Sequence, residues 1–152
     1  MLTYNLDSLG WYNFERLTGS LMREILGPGV EAFGGTKDQG RDCVFRGKAP
    51  YPSISEEWDG TWIIQVKHTN SSQIGALNSE KSIRGAFLSE LASIEQRRKV
   101  IFQNYLFVTN VSISAAGKEK LEALKNILDE KSILSVKCCS FCVSRCFILP
   151  TF

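Results

Sequence analysis

The stretch Thr61-Trp62-Ile63-Ile64-Gln65-Val66-Lys67-His68 decides the fold. Its β-branched and aromatic residues predict a strand with substantial burial. Side chains alternate along a strand, so Gln65 and Lys67 share one face with Ile63, and His68 turns to the other. His68 is therefore expected to be packed or hydrogen-bonded rather than catalytic. An amide and a lysine side by side on a mostly apolar strand are costly to bury without a task or a partner.

Working outward, the segment Gly34-Gly35-Thr36-Lys37-Asp38-Gln39-Gly40-Arg41-Asp42 reads as a glycine-rich turn. It delivers Asp42 to the start of a second short strand, through Arg46, which is expected to pair antiparallel with the first. Asp38 reads as a residue that shapes the turn. An acid, an amide and a lysine from paired strands can hold a divalent metal and a water beside a phosphodiester. Taken singly, each residue has a plainer reading. Asp42 suits a turn acid capping backbone amides, and Gln65 with Lys67 suits a solvated face with a snorkelling lysine.

The rest of the chain frames these strands. Trp11, Phe14, Leu17, Leu21 and Ile25 recur at spacings of three and four, predicting an amphipathic helix over Leu9–Leu26 that Gly27-Pro28-Gly29 stops. A short strand is expected over Val30–Phe33. The polar, serine-rich run Asn70–Ile83 reads as a loop, and Arg84–Phe102 as a helix. Tyr105–Thr109 predicts a buried strand. Ser112 or Ser114 caps a final helix that turns Leu121, Leu124 and Ile127 or Leu128 inward, and Ile133–Val136 offers one more strand. The expected class is α/β, a mixed central β-sheet flanked by helices. Trp58 and Trp62 read as packing residues rather than base-stacking platforms.

The order of these pieces resembles the Mrr-like restriction endonucleases, a branch of the PD-(D/E)xK nuclease superfamily in which glutamine often replaces the second acid. The resemblance rests on Asn13-Phe14-Glu15-Arg16-Leu17 in the first helix, then Asp42, then Gln65-Val66-Lys67-His68, then Leu106-Phe107-Val108-Thr109-Asn110, and covers roughly residues 9–130. It implies a restriction-endonuclease-like core and a metal-dependent DNA endonuclease of restriction or phage defence. In that scheme Asp42 and Gln65 bind Mg²⁺ or another divalent cation such as Mn²⁺. Glu15 matches the family's helix acid, which completes the metal shell, and Lys67 acts on the attacking water. The plain alternative for Glu15 is a solvated helix glutamate.

Two other readings stay open: a catalytically weak or inactive nucleic-acid-binding or oligomerisation module on the same fold, which the glutamine encourages, and a junction-resolving or repair nuclease. The basic run Arg97-Arg98-Lys99 is the densest in the chain and suits phosphate contacts, although cations at a helix end also suit its dipole. DNA is the expected partner. A homo-oligomer or a larger multidomain defence protein is the expected setting, because cutting both strands takes two sites.

At 152 residues the chain suits one nuclease domain over 1–137, followed by a Cys-rich apolar tail over 138–152 that resembles the edge of a truncated chain. Hydrophobic content of 43% and charged content of 22% are ordinary for a globular protein, and a net charge of +2 says little about partners. No stretch reaches the roughly 18 apolar residues of a membrane span, and the start lacks a signal-peptide layout, so a cytoplasmic setting is expected. Four of the five cysteines crowd into Cys138-Cys139-Ser140-Phe141-Cys142-Val143-Ser144-Arg145-Cys146. Cys139-x-x-Cys142 has zinc-ligand spacing, but no second pair lies elsewhere and His68 is the sole histidine. A packed apolar tail is the preferred reading, extended by Phe147–Phe152. Cys43 reads as a reduced thiol in the core.

Overall fold

A computed structural model describes residues 5–32, 42–51, 55–70, 75–97, 102–111, 114–117, 119–120, 123 and 137–142. Strands β1 (Glu31–Ala32), β2 (Cys43–Arg46), β3 (Thr61–Lys67), β4 (Asn104–Thr109) and β5 (Lys137–Cys142) form one five-stranded sheet in the order β1-β2-β3-β4-β5. The pairs β1–β2 and β2–β3 are antiparallel, whereas β3, β4 and β5 are mutually parallel. The sheet is therefore mixed, with β3 at its centre. Helices α1 (Gly10–Leu26) and α2 (Ala76–Arg97) complete the α/β fold.

Alternation along β3 assigns each helix to a face. Trp62, Ile64 and Val66 cluster with Phe14, Met22 and Leu26 of α1, joined by Leu106 and Val108 of β4. Ile63 clusters instead with Ile83 and Phe87 of α2, together with Tyr105 and Phe107. A strand buried on both faces lacks a clean polar alternation, which is why β3 and β4 read as nearly continuous apolar runs. Each large core side chain contributes roughly 1.5–3 kcal/mol by leaving water.

The buried line of α1 differs from the expected stripe. Phe14, Thr18, Met22 and Leu26, spaced by four, face the sheet with Gly19. Leu17, Leu21 and Ile25 flank that line, and Trp11 is 65% exposed. Gly19 lies on this buried face, where a Cβ would meet the Ala32 Cβ at 3.6 Å and the Cys43 Sγ at 3.8 Å, ordinary packing distances.

Helix α2 begins at Ala76, eight residues before the expected start and within the polar run expected as a loop. Serine costs a helix only about 0.5 kcal/mol and no proline interrupts 76–97, so the polar run continues the helix. The last strand also departs from expectation. Lys137–Cys142 pairs with β4 over its whole length, so the sheet continues into residues assigned to the tail, four residues beyond the strand expected at 133–136. The glycine turn with Asp38, the strand at Ile133–Val136, Arg98, Lys99, the inward residues of the final helix and Phe147–Phe152 lie outside the described residues, as do the cysteine side chains of the zinc reading. At the start of that helix, Ser114 Oγ accepts a hydrogen bond of 3.1 Å from the Gly117 N–H, the expected cap.

Between β2 and β3 the chain makes a long hairpin. Gly47 and Gly60 exchange backbone hydrogen bonds of 3.0 and 3.2 Å, and Ala49 and Trp58 exchange two of 3.0 Å. Tyr51, Trp58 and Trp62 stack together over its inner side, so both tryptophans pack as expected. Gly60 has φ +114°, and a Cβ there would meet the Gln103 Oε1 at 2.6 Å. That Oε1 accepts from the Thr61 N–H at 2.7 Å, fixing the start of β3 against β4. Among the described residues no helix is long and apolar enough to cross a membrane.

Candidate active site

The antiparallel register sets the centre of the site. Cys43 stands opposite Ile64, so one step further along the pair Asp42 stands opposite Gln65. Directly opposed residues on paired strands project their side chains to the same side of the sheet. The Gln65 Nε2 donates to Asp42 Oδ2 at 2.8 Å, and the Val66 N–H donates to the same oxygen at 2.5 Å. Asp42 is further tied by its own N–H, which donates to the Ile64 carbonyl at 3.2 Å. Hydrogen bonds to a carboxylate contribute roughly 1.5–3 kcal/mol each, so this acid is held in one orientation.

Donation to Asp42 also settles which way the Gln65 amide points. Its oxygen would repel the carboxylate, so the NH₂ faces Asp42 and Oε1 faces away. Gln65 is buried, and its Oε1 has no hydrogen-bond partner. A buried carbonyl oxygen without a donor costs about 1–3 kcal/mol. Such an atom next to a fixed carboxylate is the donor set of a hard cation, which takes oxygen ligands. One carboxylate and one amide oxygen are ligands of the kind such a cation takes, and among the described residues no three His, Cys, Asp or Glu side chains gather to hold a metal.

Lys67 lies two residues along β3 on the Gln65 face and is exposed. In the parallel register it pairs with Thr109, at the end of the β3–β4 ladder. Just beyond, Asn110 replaces the ladder with its side chain. Its Oδ1 accepts from the Thr69 N–H at 2.8 Å, and its Nδ2 donates to the Thr69 carbonyl and to Asp7 Oδ1, both at 2.7 Å. Lys67 is thus bracketed by the last strand pair and by this clamp. Sequence reasoning assigned Asn110 no role; an asparagine directly after an apolar strand was the available signal.

Glu15 is half-buried on α1, the helix that covers the face opposite Gln65 and Lys67. Its carboxylate acts at the Asp42 end of the sheet. Burial pushes the Cys43 thiol from its ordinary 9.0 to about 11, and the charges of Asp42 and Glu15 push it the same way against Arg23. The structure therefore joins Asp42 to Gln65, puts Lys67 on their face, and sets Glu15 across the sheet near Cys43. His68 packs its ring on Phe14, centroids 5.5 Å apart, and its Nε2 lies 3.1 Å from the Leu6 carbonyl oxygen, which makes it a structural residue. Arg97 ends α2, but its side chain lies outside the described residues.

With this geometry in place, comparison with protein families is decisive: the catalytic-domain model of the Mrr restriction endonucleases matches residues 6–131. The chain belongs to the Mrr restriction endonuclease family. The expected restriction-endonuclease-like α/β core is accordingly present, and the Mrr domain carries a nuclease fold. The match spans α1 through β4 and stops before β5, so in this Mrr-type chain the sheet extends beyond the matched region. No curated protein and no solved structure matches it.

Proposed function

We propose that this Mrr-type domain is a metal-dependent DNA endonuclease whose site is built from Asp42, Gln65 and Lys67. The observation that carries the reading is the Asp42–Gln65 pair, in which one residue is locked as a carboxylate acceptor and the other presents a buried carbonyl oxygen without a donor. Asp42 and Gln65 would hold Mg²⁺, or another divalent cation such as Mn²⁺; Glu15, on the helix across the sheet, stands outside that shell. When bound, the cation supplies Lewis-acid polarisation of the phosphate and a lowered water pKa.

The chain's own residues do the rest. Asp42 is held in one orientation by its two hydrogen bonds at Oδ2. The Lys67 ammonium orients the attacking water from the shared face and offsets charge growing on the phosphate oxygens. Asn110 and Thr69 keep that end of β3 in register. The setting proposed is cytoplasmic restriction or phage defence, as part of a larger protein or a twofold dimer whose two sites face opposite strands.

A second reading has an observation in its favour. Gln65 is neutral and already spends its amide on Asp42, leaving one charged ligand on the strands, which suits a weak or inactive DNA-binding module. One experiment separates the two. Plasmid DNA incubated with the wild-type chain and Mg²⁺ is expected to be nicked or cut, cleavage is expected to stop with EDTA, and Lys67→Ala is expected to lose it by at least about a hundredfold. Equal cleavage by wild type and Lys67→Ala overturns the catalytic assignment. DNA binding without cleavage in either leaves the binding module.

A further inference from the structure

Lys67 stands opposite Thr109 at the end of the β3–β4 ladder, and the residues that follow on both strands are tied to one short element. That element is the single 3-10 turn Leu6–Leu9 ahead of α1. Directly after β3, the His68 Nε2 lies 3.1 Å from the Leu6 carbonyl oxygen. Directly after β4, the Asn110 Nδ2 donates to Asp7 Oδ1 at 2.7 Å, across 103 positions of sequence. The same Asn110 amide holds both backbone groups of Thr69. The turn is itself anchored. Leu6 is buried in the core cluster with Phe14 and Val66, and Ser8 Oγ donates to the Asn5 carbonyl at 2.8 Å. Gly10, at φ +69°, takes the left-handed backbone that ends the turn where α1 begins.

We infer that Asp7 is a positioning residue for Lys67, acting through Asn110 and Thr69. Thr69 lies two residues beyond Lys67, so the backbone that carries the lysine leaves the ladder at a point fixed by the Asn110 amide. Asp7 fixes that amide. A carboxylate only accepts, so it takes the NH₂ end and leaves Oδ1 for the Thr69 N–H. A bond to a charged acceptor is also about twice as strong as one between neutral groups. Lysine ends in a point charge on a flexible stem, so its ammonium is placed only as well as the backbone beneath it. The catalytic consequence rests on the nuclease reading above; the latch from Asp7 to Thr69 rests on the hydrogen bonds.

Two measurements on the full chain test the role of Asp7. Amide hydrogen exchange, followed without metal or DNA, is expected to show Thr69 exchanging on the order of tenfold faster in Asp7→Ala than in wild type. Amides around Ile64, at the centre of β3, are expected to stay unchanged, which shows that the variant keeps its fold. Plasmid cleavage in Mg²⁺, well below the melting temperature, is expected to show kcat lowered on the order of tenfold in Asp7→Ala, with KM for DNA within about twofold of wild type. Asp7→Asn keeps an oxygen for the Asn110 Nδ2 and is expected to restore both readouts. Unchanged Thr69 exchange in Asp7→Ala, or an Asp7→Asn chain as impaired as Asp7→Ala, overturns the latch. An unchanged kcat in Asp7→Ala beside an active wild type overturns the positioning role and leaves the nuclease reading. Faster Thr69 exchange in Asp7→Ala with no cleavage by wild type keeps the latch and removes the nuclease reading.

Discussion

Gln65 donates its amide to Asp42 across the β2–β3 pair, and this bond leaves its own carbonyl oxygen buried without a partner. The two facts have one cause. An amide has one donor end and one acceptor end, and the carboxylate takes the donor. Gln65→Glu replaces that donor with a second acceptor 2.8 Å from Asp42 Oδ2. Without metal the variant is expected to lose about 1–3 kcal/mol, because two acceptors then face each other. With Mg²⁺ the loss is expected to be largely recovered. Thermal melts in EDTA and in millimolar Mg²⁺ check both halves, and a variant equally stable in both would show that no cation binds there.

Asn110 makes three side-chain hydrogen bonds, two to Thr69 and one to Asp7. Asn110→Ala is expected to cost roughly 2–4 kcal/mol, since both backbone groups of Thr69 lose their partner together. Urea denaturation measures it. Hydrogen exchange should show the Thr69 amide losing protection while β2 keeps it.

The Cys43 thiol is neutral in the fold and raised to about 11. Above its ordinary value the unfolded chain ionises first, so the stability from burying the neutral thiol is complete below about pH 9 and falls as pH rises through about 11. Cys43→Ala should flatten that loss. Urea midpoints of both chains between pH 8 and 11 provide the comparison; parallel curves would remove Cys43 as the cause.

Thr18 is fully buried on α1, and its Oγ1 finds no hydrogen-bond partner. Thr18→Val keeps the shape and removes the hydroxyl. A gain of about 1 kcal/mol is expected, read as a rise in melting temperature. A drop would show that the hydroxyl is satisfied in solution.

The strands that carry chemistry were the most legible part of the chain. A β-branched run such as Trp62–Val66 specifies burial locally, and alternation then sets Gln65 and Lys67 on one face without knowledge of the partner strands. The rotation of α1 was not legible in the same way. Thr18 and Gly19 carry little hydrophobic signal, yet they face the sheet, and Trp11 faces outward. The start of α2 was hidden for a related reason. Its first turns contain too few apolar residues to mark a helix, and the core contact depends on Ile83 and Phe87 further along. The convergence of Asp42 and Gln65 followed from strand order, whereas their direct bond and the Asn110 clamp, which joins residues 41 positions apart, needed the fold to be seen.

The family match ends at residue 131, but backbone pairing continues through Cys142. A chain trimmed to the matched region would therefore lose β5 and leave β4 as a bare rim. All six residues of β4 are buried, with no proline or charge among Asn104-Tyr105-Leu106-Phe107-Val108-Thr109 to discourage another strand from docking. Uncovered strands of this composition template intermolecular pairing and aggregation. Expression of this domain on its own is best planned to retain residues through 142, since a shorter product would be prone to precipitate for reasons unrelated to its chemistry.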